Sequence, residues 1–167
     1  MDSSVTSSRA LFASAGLLAA IVFSATAVAC DDDDDILTPT STTFVTTLNG
    51  ANEVPPKAVA GTGTVQIVKT GATYTYTIAY TGMTGALVGA HIHGPAAAGV
   101  NAVVIVPFDI TGAGASGTLT GTFTGTNNVN IAPDSLDKLM TSGNAYVNLH
   151  TNLNQPGEIR GQLSRQQ

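Results

Sequence analysis

The sequence predicts an all-β domain, an antiparallel Greek-key β-sandwich of seven to eight strands with one short helix. Three observations support this prediction. From Phe44 onward, short runs of alternating large and small side chains are bounded by Gly, Pro and Asn, which is typical of antiparallel sheets. The chain has 18 glycines, 10% charged and 5% aromatic side chains, as exported β proteins often do. Many short strands in one small domain fit a Greek-key sandwich.

The eight predicted strands follow one another along the domain. They cover residues 43–48, 63–69, 73–80, 87–93, 102–108, 117–124, 145–150 and 158–163. In the third strand, large side chains occupy every second position: Tyr74, Tyr76, Ile78 and Tyr80. Thr70 and Gly71 before it predict a turn, so residues 63–80 form a predicted hairpin. Residues 102–106 are apolar at every position, as expected of a strand buried on both faces.

One helix is predicted, over residues 133–140. Pro133 or Asp134 begins it and Gly143 ends it, in line with the preference of helices for proline at the start and glycine at the end. Its apolar side chains are spaced by three and four residues: Leu136, Leu139 and Met140. Such a narrow apolar stripe indicates a helix that caps the sandwich.

The charge of the chain is concentrated in one block. The formal net charge is -5, and five aspartates occupy residues 31–35. From Phe44 onward, five acidic and five basic residues cancel, so the domain is formally neutral. Because a neutral domain without a basic stripe does not attract a phosphate backbone, we expect no nucleic-acid binding. The single cysteine excludes an intramolecular disulfide.

Residues 1–29 are predicted to be a signal peptide. A polar start with Arg9 as its only basic residue is followed by an uncharged apolar run that ends in small residues, as in secretory signals. Residues 27–30, with the sequence AVAC, resemble a bacterial lipobox, which predicts cleavage before Cys30 and lipidation of its thiol. In the alternative, the apolar run spans a bilayer as an uncleaved anchor, and Cys30 is an incidental thiol.

Residues 30–43 are predicted to be a tether between the lipid and the domain. The aspartate block is followed by a stretch rich in Thr and Pro, which has little apolar area to bury and should stay extended. Its like charges repel one another and an anionic membrane surface, which holds the domain away from the bilayer. In the alternative, the block is only a solubilising spacer. The predicted folded domain occupies residues 44–167.

The three histidines are the main candidates for a functional site. His91 and His93 lie two residues apart on a predicted strand, so their side chains share one face. His150 ends another predicted strand and shares its face with Asn148. In the last strand, three polar side chains are predicted to share a face: Glu158, Arg160 and Gln162. The turn-like residues 151–157 predict a hairpin that brings Glu158 close to His150.

Two interpretations of these polar residues stay open. In the first, the imidazoles bind copper or zinc, and a carboxylate completes the ligand set or orients one of its members. The candidate ligands are His91, His93, His150 and Glu158. In the second, the residues are a hydrogen-bonded polar cluster in which Glu158 pairs with Arg160 and the histidines bond to backbone carbonyls. The further members of that cluster are Asn148 and Gln162.

The sequence contains no recognisable catalytic motif. Its serines do not occur in a Gly-x-Ser-x-Gly context, and its carboxylates show no acid/base spacing. Gly61 and Gly63 have no helix after them, so they form no nucleotide-binding fingerprint. We therefore expect no enzymatic activity.

Four sequence blocks carry a resemblance to a known family. They are residues 48–56 (LNGANEVPP), 90–95 (AHIHGP), 146–151 (YVNLHT) and 156–163 (PGEIRGQL). In this order they resemble the CHRD domain family, which is named after chordin and is widespread in bacterial exported proteins. The resemblance extends from about Phe44 to Leu163 and so covers essentially the whole predicted domain.

The resemblance implies an immunoglobulin-like β-sandwich that lies outside the cytoplasm and has no established enzymatic activity. Together with the predicted lipid anchor, it favours a non-enzymatic binding or structural module of the bacterial cell envelope. Its expected partners are the membrane, through the lipid, and an unidentified envelope or extracellular ligand. The alternative function is that of a copper- or zinc-binding protein that uses the three histidines.

Overall fold

The computed structural model describes residues 40–124 and 133–167. The predicted signal peptide, Cys30 and most of the predicted tether lie outside these residues. The elements in chain order are β1 Ser41–Asn49, a short 3-10 helix Gly50–Asn52, β2 Thr62–Thr70, β3 Thr73–Thr81, β4 Leu87–His93, β5 Val104–Pro107, β6 Gly117–Thr124, α1 Pro133–Thr141, β7 Tyr146–Thr151, β8 Asn154–Gln162 and β9 Ser164–Arg165. Within the described part, no helix combines the length and apolar character that a membrane span requires.

All eight predicted strands are confirmed, and so is the helix. β4 and β6 have the predicted bounds, β5 is shorter at both ends, and β8 begins at Asn154 instead of Glu158. β9 and the 3-10 helix were not predicted from the sequence pattern. Asn49 caps the start of the 3-10 helix, because its side-chain oxygen accepts a hydrogen bond of 3.0 Å from the Asn52 backbone N–H.

The strands form one antiparallel sheet. Its strand order is β5-β4-β7-β8-β1-β2-β3-β6, and β9 pairs with β1. The junction with β1 is sparse, since β8 pairs with it only at Arg160, opposite Asn49, and β9 continues the same register with Ser164 and Arg165. Phe108, which follows β5, lies 4.6 Å from Tyr76 and 6.4 Å from Phe123 between ring centroids. Because β5 and β6 stand at opposite ends of the strand order, these contacts show that the sheet curls until its ends meet.

The structure confirms the all-β antiparallel class with one helix among the described residues. The hydrogen-bonded path runs through the whole set of strands, whereas a sandwich has two separate sheets. The immunoglobulin-like Greek-key sandwich therefore stays a prediction.

The hydrophobic core lies inside the curl. Tyr74 of β3 and Phe123 of β6 stack in parallel with ring centroids 4.8 Å apart. α1 adds Leu136 and Met140, both fully buried, so the predicted apolar stripe does face the sheet. Asp137 contacts both the Lys69 ammonium group and the Tyr74 hydroxyl, which fixes the helix to β2 and β3. Each fully buried apolar side chain contributes roughly 1.5–3 kcal/mol, so this core supplies most of the stability.

The outer surface of β2, β3 and β6 is exposed, and we call it the threonine face. In β3, buried and exposed residues alternate strictly. Antiparallel pairing aligns the exposed positions, so that Thr77 lies between Gln66 of β2 and Thr120 of β6. The threonine face consists of Thr62, Thr64, Gln66, Thr70, Thr73, Thr75, Thr77, Ala79, Thr81, Thr118, Thr120 and Thr122.

The outer surface of β4, β7 and β8 is covered by protein, and all six residues of β7 are buried. Two covering loops, residues 50–60 and 94–103, lie over this surface. From the first loop, the Asn52 side chain donates a hydrogen bond of 3.1 Å to the Arg160 carbonyl. In the second loop, the Ala96 carbonyl accepts a hydrogen bond of 2.7 Å from the Gln162 side chain. The covering loops therefore bury the outer surface of β4, β7 and β8, which would otherwise be exposed to solvent.

Candidate functional site

The three histidines converge on the covered surface. β4 and β7 pair so that His91 lies opposite Asn148, and His150 lies opposite Gly89 one step further along the same face. One ring nitrogen from each of His91, His93 and His150 lies within 4.8 Å of the other two. His91 Nδ1 and His150 Nε2 are 3.1 Å apart, within hydrogen-bond distance. The predicted grouping of the three imidazoles is thus what the structure shows.

Backbone carbonyls set the protonation of two of the rings. His93 Nδ1 lies 3.0 Å from the Ala102 carbonyl oxygen, and His150 Nδ1 lies 2.7 Å from the Gln155 carbonyl oxygen. A carbonyl oxygen only accepts, so each Nδ1 carries the proton and, in the neutral ring, each Nε2 carries a lone pair. His93 Nε2 is buried without a hydrogen-bond partner. An unpaired buried acceptor lowers the stability of the fold by about 1–3 kcal/mol. A ligand that binds this nitrogen would recover that free energy.

The histidines are neutral at physiological pH. Burial, together with the neighbouring His150 and His93, lowers the pKa of His91 from 6.5 to about 4. Burial also lowers the pKa values of His93 and His150, although a carbonyl hydrogen bond opposes the effect in each. Neutral imidazole is the form that binds transition metals, because the lone pair is free.

Gly89 and Tyr146 determine how the histidine rings are positioned. A Cβ atom at Gly89 would lie 2.9 Å from His91 Cε1 and 3.3 Å from His150 Cδ2, so glycine at this position leaves room for both imidazoles. Tyr146 stacks on His93 with ring centroids 4.8 Å apart and an interplanar angle of 2°. The stacking and the carbonyl bond together fix the orientation of the His93 ring.

Glu158 is not part of the histidine group. Its fully buried carboxylate accepts hydrogen bonds from the Thr84 backbone N–H at 2.7 Å, the Thr151 hydroxyl at 2.5 Å and the Asn154 amide at 3.0 Å. Burial alone would raise the pKa of Glu158, but these hydrogen bonds outweigh it and lower the pKa. Glu158 therefore fixes the loop before β4 and the turn between β7 and β8.

A break in the strand alternation explains why Glu158 leaves the predicted face. The pairing of β7 with β8 shifts register between Leu149 and Thr151, and Gly157 has φ of +141°. As a result, Glu158 points to the same side as Ile159: a Cβ atom built on Gly61 would lie 3.0 Å from Ile159 Cγ2 and 3.5 Å from Glu158 Oε1. Such bulges reverse the direction of one side chain.

The remaining predicted residues do share the covered surface. Asn148 pairs with Arg160 in the β7–β8 register, and Tyr146 pairs with Gln162. The Arg160 guanidinium lies 3.3 Å from the Tyr146 ring centroid. Its Nη1 donates to Asn101 Oδ1 at 3.0 Å and its Nη2 donates to the Val100 carbonyl at 2.7 Å. The expected pairing of Glu158 with Arg160 is absent, because Glu158 points to the other side of β8.

Glu53 is the residue that sequence reasoning missed. It is 4% exposed, and Asn148 Nδ2 donates to both of its carboxylate oxygens at 3.1 and 3.2 Å. Burial raises the pKa of Glu53 from 4.5 to about 7 against the attraction of Arg160. One signal could have identified Glu53: it is an acid within LNGANEVPP, the first block of the family resemblance.

Comparison with known proteins shows the family of the chain. No curated protein matches it. The family described as CHRD domain matches residues 44–163, a span that includes β2 to β8, the histidine group, Glu53 and Arg160. This span is more than half of the 167 residues. The chain therefore belongs to the CHRD domain family.

Proposed function

We propose that this chain is an exported, lipid-anchored binding module of the bacterial cell envelope, and that its domain binds one copper or zinc ion. Membership of the CHRD family suggests a binding or structural module. The observation that supports metal binding best is His93 Nε2, which is buried and unpartnered in a group whose ring nitrogens lie within 4.8 Å of one another. A metal ion would accept that lone pair.

The donor set favours copper or zinc. Neutral imidazole nitrogen suits both metals, whereas calcium and magnesium prefer oxygen ligands. Each of His93 and His150 donates its other ring N–H to a backbone carbonyl, an arrangement that orients ligand histidines in metal sites. Three histidines leave a coordination position for water or another ligand, because Glu158 is engaged elsewhere.

Metal analysis of the purified full chain tests this proposal. We expect one copper or zinc ion per chain at neutral pH and loss of that ion in the His91→Ala, His93→Ala double variant. Asp109→Asn is the control, since it changes an exposed carboxylate outside the histidine group and should retain the ion. A chain that binds no metal, or a double variant that binds as well as wild type, would contradict the proposal.

The second candidate is a purely structural module. The bond of 3.1 Å between His91 Nδ1 and His150 Nε2 favours it, because hydrogen bonding alone then satisfies two of the three rings. In that case, added copper or zinc would leave the thermal unfolding temperature unchanged. A metal that binds the native site would raise that temperature with increasing metal concentration.

Export and anchoring rest on the first 43 residues of the sequence. The uncharged apolar run, the AVAC motif and the aspartate block support a signal peptide, a lipidated Cys30 and a tether. Labelled palmitate should be incorporated in bacterial cells and should disappear in Cys30→Ser. A label that survives this substitution would refute the lipid anchor, and activity on any envelope substrate would refute the non-enzymatic role.

We also infer that the curled sheet is a variant of the immunoglobulin-like Greek-key sandwich. β8 pairs with β1 only at Arg160 and Asn49, and β9 adds two pairs in the same register, against nine pairs between β1 and β2. This sparse junction divides the strand order into two halves, β5-β4-β7-β8 and β1-β2-β3-β6. An experimental structure tests this inference. A long continuous ladder between β8 and β1 would instead indicate a partly closed barrel.

A further inference from the structure

A cavity lies beside the polar residues of β8, and no histidine is among the residues that line it. Its volume is about 440 Å³, and its walls include Glu53, Arg160 and Gln162. Apolar side chains from the covering loops complete it: Val54, Pro56 and Ala98. Cavities of roughly 300–1,000 Å³ are typical of small-molecule sites, so this one has room for a compact ligand.

Two groups that carry opposite charges when ionised, Glu53 and Arg160, line this cavity without forming an ion pair. Glu53 is 4% exposed and Arg160 is 1% exposed. Among the described residues, the only ion pair within 4.0 Å joins Lys69 to Asp137. Glu53 and Arg160 thus lack a direct counter-charge, although buried charges are ordinarily paired.

Both charged groups retain hydrogen-bonding capacity. The guanidinium has five N–H donors, and its terminal nitrogens Nη1 and Nη2 each donate to one protein oxygen, in Asn101 and Val100. The Glu53 carboxylate has about four acceptor sites and accepts from the Asn148 side chain and the Val54 backbone N–H. A ligand with an anionic group and a cationic group would satisfy both ends of the cavity.

We propose that this cavity binds a small zwitterion, a free α-amino acid with a small aliphatic side chain. Its ammonium group would donate to the Glu53 carboxylate, and its carboxylate would accept from the Arg160 guanidinium. The apolar walls formed by Val54, Pro56 and Ala98 would accommodate the side chain. Complementarity at both ends distinguishes this class of ligand from a simple anion, which would lack a donor for the Glu53 carboxylate and would repel its ionised form.

An NMR titration of the full chain with alanine, acetate and methylammonium tests the proposal. The chain is treated with a chelator first, so that a metal ion does not contribute. We expect alanine to shift the signals of Glu53 and Arg160 in a saturable way, and to bind at least tenfold more tightly than acetate or methylammonium. Glu53→Gln should weaken alanine binding at least tenfold, while the exposed-carboxylate control Asp109→Asn should leave it unchanged.

Three outcomes would overturn the proposal. One is the absence of saturable shifts with any probe at roughly 10 mM. The second is acetate binding as tight as alanine binding in both wild type and Glu53→Gln, which would indicate an anion site on Arg160 alone. The third is a Glu53→Gln variant that is folded by circular dichroism and binds alanine as wild type does. The His91→Ala, His93→Ala variant should retain alanine binding, which separates this proposal from metal binding.

Discussion

β3 and β7 are both central antiparallel strands, yet they differ in what lies on their outer faces. In β3, residues alternate between buried and exposed, and the exposed side chains form part of the threonine face. In β7, polar and apolar residues also alternate in sequence, but every residue is buried. The covering loops cause this difference, because they place protein where β3 meets solvent.

Buried polar groups arise in this fold where the covering loops exclude water from the sheet. On the threonine face, hydroxyl groups are solvated by water and need no specific partner. On the covered surface, water is replaced by the covering loops, so each polar group must bond to protein or to a ligand. Two atoms of the described residues, His93 Nε2 and Asn148 Oδ1, are buried without a partner, and both belong to the covered surface.

The largest expected effects concern the inner faces, where the two strands should behave alike. Ile78 in β3 and Leu149 in β7 are both fully buried. Ile78→Ala and Leu149→Ala should each lower the free energy of unfolding by about 2–5 kcal/mol, because each leaves a cavity in the core. Urea unfolding measures both changes. A much smaller loss for Leu149→Ala would mean that β7 is not part of the same core.

The second prediction concerns how the free energy of unfolding depends on pH through Glu53, which lies on the covered surface. Because the pKa of Glu53 is raised from 4.5 to about 7, the folded chain keeps a proton that the unfolded chain loses, and stability falls as pH rises through this range. Glu53→Gln does not titrate. Its free energy of unfolding relative to wild type should therefore rise across the range by up to about 3 kcal/mol.

The histidines change stability with pH in the opposite direction to Glu53. The informative measurement is therefore the difference in free energy of unfolding between Glu53→Gln and wild type. The pKa of His91 is lowered from 6.5 to about 4, so its contribution to stability is lost as pH falls through this range. Subtracting wild type from Glu53→Gln removes this shared contribution. Asp109→Asn, which changes an exposed carboxylate, should show a difference that stays flat across the range, and a flat difference for Glu53→Gln would contradict its raised pKa.

The third prediction compares polar positions on the two outer faces. Asn148→Ala removes the amide that donates to both Glu53 oxygens, and it should lower the free energy of unfolding by about 1–3 kcal/mol. Thermal unfolding at neutral pH, with a chelator present, measures this change. If Asn148→Ala were neutral, the covered surface would contain enough water to replace the amide.

The smallest effect is expected on the threonine face. Thr77→Ala removes an exposed hydroxyl in the middle of β3 and should change the free energy of unfolding by no more than about 0.5 kcal/mol. The same measurement serves as the control for Asn148→Ala, since both substitutions truncate a polar side chain on a central strand. A loss at Thr77 as large as that at Asn148 would remove the difference between the two faces.

The positions of the strands and the grouping of the histidines were predictable from sequence. Alternation identifies strands because side chains of neighbouring residues point to opposite faces, and the same rule places His91 and His93 together. Turn residues such as Gly71, with φ of +58°, mark where strands end. These features depend on local sequence, and the structure agrees with them.

The rest depends on long-range contacts that alternation does not encode. Glu158 leaves the face of Arg160 because a bulge at Gly157 interrupts β8, and the sequence PGE gives no sign of its direction. Glu53 lies in a segment that resembles an ordinary turn, and its burial results from contact with Asn148, 95 residues away. Likewise, the sparse pairing of β8 and β9 with β1 could not be derived from the pattern within any of these strands.

The threonine face has a consequence for the surroundings that this domain tolerates. None of the side chains that define it carries a charge or titrates, so dissolved salt has no fixed charge there to screen. Its hydration relies on hydroxyl groups, whose affinity for water is nearly independent of ionic strength. Over this part of its exterior, the domain would present the same surface in fresh water and in brine.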